Sequence, residues 1–147
     1  MDTHLTDITR VIQLAIAPVF LLTAIGTLIT ALNNRLGRVI DRRRVLHDRL
    51  HGGADKPAEE LQDWRREWRV LSRRVRLIYF ALLSAGVGAL LVCLVVAGAF
   101  IGALVAIDLS KTVAVLFILA MFAVISSITM FLREVFLAVS GGTHRIP

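Results

Sequence analysis

Charged positions are missing from three long stretches of this chain, residues 11–32, 77–107 and 112–132. Each supplies the roughly 20 predominantly apolar residues that a helix needs to cross a ~30 Å hydrocarbon layer. Helices are the expected form, because a helix satisfies every backbone donor and acceptor internally when no water is present. The second stretch is long enough to cross with tilt or to extend past the lipid at one end. Only Asp108, Leu109, Ser110 and Lys111 separate it from the third. Pro18, inside the first stretch, predicts a kink there.

Residues 33–76 have a different pattern. Leu32, Leu36, Val39, Arg43, Leu46 and Leu50 recur at alternating intervals of four and three, and so do Leu61, Trp64, Trp68, Leu71, Val75 and Ile78. Two coiled-coil stripes separated by the breaker His51-Gly52-Gly53-Ala54-Asp55-Lys56-Pro57 predict an antiparallel helical hairpin. Folding the chain at Ala54 sets Leu50 by Leu61, Leu46 by Trp64, Val39 by Leu71, Leu36 by Val75 and Leu32 by Ile78. The expected fold class is therefore an all-α integral membrane protein. It has three transmembrane helices, and the first two extend into the hairpin. Residues 1–147 form a single membrane domain ending in a flexible tail over 141–147.

Composition agrees with this class. Of 147 residues, 56% are hydrophobic and 19% charged, against about 45–50% and 25% in soluble domains. The net charge is +6, and its distribution matters more than its size. Thirteen of the 17 Lys and Arg, with seven of the 11 carboxylates, lie in residues 33–76. Basic residues beside spans stay cytoplasmic. The hairpin and the C-terminal end, with Arg133 and Arg145, are accordingly expected in the cytoplasm and the N-terminus outside. The arginines of the hairpin suit anionic lipid headgroups. Nucleic acid is a poor partner, because carboxylates interleave with the arginines and no recognised module is present.

Polar residues inside the first span form the main candidate site. Gln13, Thr23, Thr27 and Thr30, followed by Asn34, share a helical stripe with Ile16 and Phe20, offset from the Ile25, Leu28 and Leu32 stripe that continues the hairpin seam. Such a face must meet the third span, another subunit or water, lipid being the least suitable neighbour. In an assembly of several copies it would line a pore, with hydrated Thr and Asn rings and an apolar constriction at Ile16 and Phe20. The alternative is helix packing, with Thr hydroxyls bonded to carbonyls four residues back. Small residues at Ala81, Ser84, Ala85, Gly88, Ala89, Gly98 and Gly102 predict close helix contact.

The hairpin register also places Arg43 across from Trp68. A cation–π contact there is favourable by about 0.5–2 kcal/mol; otherwise Arg43 snorkels past the stripe to water. Glu134 lies level with Arg35, so a salt bridge would tie the third helix to the hairpin root, headgroup snorkelling being the alternative. His47 and His51, four apart with Asp48 nearby, are too few for a structural metal site, and no metal or cofactor is expected. Cys93, without a partner thiol in mid-span, is expected to be packed and inert. No nucleophile–base pair, phosphate-cradling loop or metalloprotease motif is present, so an enzyme is not expected.

The run Ile16-Ala17-Pro18-Val19-Phe20-Leu21-Leu22, then Asn34-Arg35-Leu36-Gly37-Arg38-Val39-Ile40-Asp41-Arg42, resembles small bacterial membrane proteins grouped as domain-of-unknown-function family 2721. Similar too are Arg73-Arg74-Val75-Arg76-Leu77-Ile78 and Phe131-Leu132-Arg133-Glu134-Val135. The resemblance covers about residues 8–139 and implies a three-helix protein of the bacterial inner membrane with no assigned enzymatic activity. The functional expectation is a homo-oligomer conducting ions or small solutes, its first span lining the path. The alternative is a non-conducting scaffold or regulatory subunit whose basic hairpin binds a protein partner or anionic lipid.

Overall fold

A computed structural model of the chain describes residues 2–52 and 57–142. All three elements are helices: α1 (Asp2–His51), α2 (Ala58–Val105) and α3 (Ser110–Gly142). Each is long and apolar enough to cross a membrane. Pro18 is accommodated inside α1 without ending it. The breaker expected over 51–57 is described only at its edges, since the turn at Ala54 lies outside the described residues. Of the expected flexible tail, Gly141 and Gly142 close α3, and 143–147 lie outside the described residues, Arg145 among them.

The chain divides into two compact units. The first comprises Met1–Ile29 and Leu83–Ser127. Its core is Ile25 of α1, Ala85 and Val92 of α2, and Ala120 and Val124 of α3, flanked by Leu21, Leu22, Leu28 and Ala89. Association of helices in lipid gains little from the hydrophobic effect, so close packing and interhelical hydrogen bonds must hold them. The sequence meets that need with small side chains. A Cβ built on Gly88 would lie 3.0 Å from Val124 Cγ2 and 3.6 Å from the Ala120 carbonyl oxygen, so glycine is what lets α2 approach α3 this closely. Next to it, the Ser84 hydroxyl donates to the Ala123 carbonyl at 2.8 Å.

The expected second span, 77–107, is slightly too long as a helix, because α2 stops at Val105. Ala106 takes φ 56°, and the Ile107 N–H donates to the Gly102 carbonyl at 3.2 Å. This is the Schellman closure of a helix, with alanine at the left-handed position that glycine usually fills. A Cβ on Gly102 would sit 3.2 Å from the Ile107 oxygen, so a side chain there would press on this turn. Asp108 Oδ1 then accepts from the Ser110 N–H at 3.0 Å and heads α3. Hydrogen bonding from Ser110 holds the Asp108 carboxyl below the ordinary carboxylate range.

Cys93 is exposed, not packed as expected. Position along a span fixes depth, but helical phase fixes the face. Cys93 falls between the buried Val92 and Val95, on the flank of the exposed Leu90 and Leu94.

The second unit comprises Thr30–Leu82 and Ile128–Pro147. Leu32, Val39 and Leu46 of α1 are buried, as are Leu71, Ile78 and Ala81 of α2. The two helices run antiparallel. Arg35 and Arg74 meet at one level through Glu134, and seven residues further along α1 Arg42 pairs with Glu67, seven residues back along α2. α1 closes with the Gly52 N–H donating to the Asp48 carbonyl at 3.0 Å, and α2 opens with the N–H groups of Glu60 and Leu61 on the Pro57 carbonyl. Glu59 and Glu60 in that first turn complement the positive end of the helix dipole.

Candidate functional site

Within the first unit, the α1 stripe lies opposite the buried Ile25. Gln13, Ile16, Phe20, Thr23 and Thr27 are all exposed, Phe20 to 72%. Neither α2 nor α3 covers them. The Thr27 hydroxyl donates to the Thr23 carbonyl at 3.1 Å, and the Thr23 hydroxyl to the Val19 carbonyl at a longer 3.4 Å. These back-bonds leave each hydroxyl oxygen with acceptor capacity on the outer surface of the helix. The last two members of the stripe, Thr30 and Asn34, fall in the second unit and are exposed there.

The second unit gathers the charged residues. Glu134 of α3 is 1% exposed, although it is a carboxylate. Its Oε2 accepts from Arg35 Nη1 at 2.8 Å; its Oε1 accepts from Arg74 Nη2 at 2.7 Å and from Arg74 Nε at 3.3 Å. Both oxygens are engaged, and the Arg35 and Arg74 side chains, 29% and 22% exposed, keep partial access to solvent. Arg35 also lies over the Phe131 ring at 5.1 Å, one helical turn before Glu134. A buried carboxylate is tolerated only with such pairing and hydrogen bonding. The result is a three-helix clamp of net charge +1 with no nucleophile.

Sequence reasoning placed Arg35 beside Glu134 but missed Arg74. The signal was available: paired hairpin positions sum to about 110, which sets Arg74 level with Arg35. The same rule sets Arg42 against Glu67, whose Oε1 accepts from Nε at 3.0 Å and Nη2 at 2.8 Å. Arg43 and Trp68 are brought together, with the guanidinium carbon 5.0 Å from the ring centre. The His47 and His51 rings lie 4.1 Å apart, and a His51 Nδ1–H donates to the His47 carbonyl at 3.0 Å. Among the described residues, no group of three or more His, Cys, Asp or Glu is placed to hold a metal.

A family model whose description reads "Protein of unknown function (DUF2721)" matches residues 15–142. No curated protein and no solved structure matches the chain.

Proposed function

The chain belongs to the DUF2721 family of proteins of unknown function, and from that premise we propose a homo-oligomeric, channel-like protein of the bacterial inner membrane whose first helix lines a path for ions or small solutes. One observation carries the reading: the polar stripe of α1 is left uncovered by the chain's own helices. Hydroxyl and amide groups are poor neighbours for acyl chains, so copies gathered with α1 innermost give that stripe a hydrated lumen. Thr23 and Thr27 then present oxygen to passing solute, and Ile16 and Phe20 form a constriction able to gate by dewetting. With 13 of 17 basic residues in 33–76, the positive-inside rule favours a cytoplasmic hairpin and an external N-terminus. No enzymatic step is part of this reading.

The back-bonded hydroxyls also suit a dry contact between copies, which favours a second reading: a non-conducting scaffold or regulatory subunit using its basic hairpin on a protein partner or anionic lipid. Purified protein in planar bilayers separates the two. Single-channel current that changes with Thr27→Trp supports conduction. Silence under varied ions, pH and membrane tension, or a particle image showing single copies, overturns it.

A further inference from the structure

Trp68 is bracketed on the α1 side by two groups. Arg43 lies 5.0 Å from its ring centre and the His47 ring 5.4 Å away, tilted by 34°. Positions 43, 47 and 51 share one flank of α1, while 65, 68 and 69 share the facing flank of α2. Between them is an open groove of about 460 Å³ lined by His47, Leu50, His51, Arg65, Trp68 and Arg69. Among the described residues no carboxylate lines it. Glu67, adjacent in sequence, is held by Arg42, while Arg65 and Arg69 have no ion-pair partner among the described residues. Among the described residues, the groove therefore combines arginines that lack an ion-pair partner with the rings of His47, His51 and Trp68. Guanidinium forks match phosphate oxygens, and aromatic faces stack on nucleobases irrespective of base identity.

We infer that this groove is a binding site for a small phosphorylated anion of the nucleotide class, with Arg65 and Arg69 on the phosphate and the His51 and Trp68 rings against the base. The phosphate could in principle come from a lipid headgroup instead, but the placement of the groove favours a soluble source. Glu134 lies just past the last charge-free stretch, level with Arg35. His47 is twelve residues further along α1, about 18 Å of helix. That exceeds the headgroup layer, which adds roughly 5–8 Å on each side of the hydrocarbon. The site is independent of whether the protein conducts.

The chain has two tryptophans, so Trp64→Phe leaves Trp68 as the sole emitter inside the groove. In nanodiscs of zwitterionic lipid, ADP should change Trp68 emission saturably, orthophosphate should compete, and adenosine should bind far more weakly. Replacing the exposed Arg65 and Arg69 together by Gln should weaken ADP binding by roughly tenfold or more, with circular dichroism and melting temperature unchanged. The proposal is overturned by no response at millimolar ADP, by equal binding of adenosine, or by unchanged affinity in the Arg65→Gln, Arg69→Gln variant. Repeating the titration with phosphatidylglycerol in the nanodisc separates the sources. Unaltered ADP affinity supports a soluble ligand, whereas emission that follows lipid content and abolishes ADP binding overturns it in favour of a headgroup.

Discussion

The first unit buries aliphatic side chains together with Ser127 and is drawn together by glycine, alanine and the Ser84 hydroxyl. The second has a similar leucine seam but adds a buried carboxylate with two arginines, an Arg–Glu fork and two cation–ring contacts. The difference matches what each solvent allows. Lipid removes the advantage of burying apolar surface, so contact distance decides; beside water, charge can be exposed at its edges and still bonded inside. The two units should therefore fail in different ways.

The largest separation is expected from Glu134→Ala, which strands two guanidiniums and should cost about 3 kcal/mol, tempered by their partial exposure. Hydrogen exchange should accelerate in the second unit while residues 83–105 keep their protection. Equal loss in both units would erase the contrast. Gly88→Leu is the counterpart. With even a first carbon 3.0 Å from Val124, overpacking should cost about 2 kcal/mol, lower the melting temperature in detergent and be indifferent to salt. Ala106→Gly relieves a left-handed alanine and should stabilise the α2–α3 turn by about 1 kcal/mol; a drop in melting temperature would refute the assigned backbone there. A double-mutant cycle on Arg42 and Glu67 should give a coupling near 0.5 kcal/mol that fades with added salt.

The smallest effect is a dependence on pH. Hydrogen bonding from Ser110 lowers the Asp108 carboxyl below its usual range, so its contribution is complete above the unfolded value and lost as pH falls through the folded one. Protection of the Ser110 amide should be flat across neutral pH and decline only in acid below the ordinary carboxylate range. A decline near neutrality would contradict this assignment.

The parts of this architecture that were legible in the sequence are those set by periodicity. The 3–4 spacing from Leu32 to Leu50 and from Leu61 to Ile78 gives the hairpin seam directly, and Arg43 opposite Trp68 follows from the same register. What escaped was set by helical phase and by third partners. Cys93 was assigned by its depth, yet its face depends on 100° steps counted from Val92. Arg74 lies one residue before Val75, which carries the seam, and only the level of Glu134 shows why it turns inward. The end of α2 was hidden because Ala106 and Ile107 are as apolar as the helix before them. A left-handed residue leaves a trace in sequence when it is glycine, and here it is alanine.

The clamp at Glu134 also makes two helices depend on the third. Without that carboxylate, Arg35 of α1 and Arg74 of α2 would face one another at one level as like charges, and a single acidic residue of α3 turns that repulsion into attraction. The second unit is thus locked by α3 and not by its leucine seam alone.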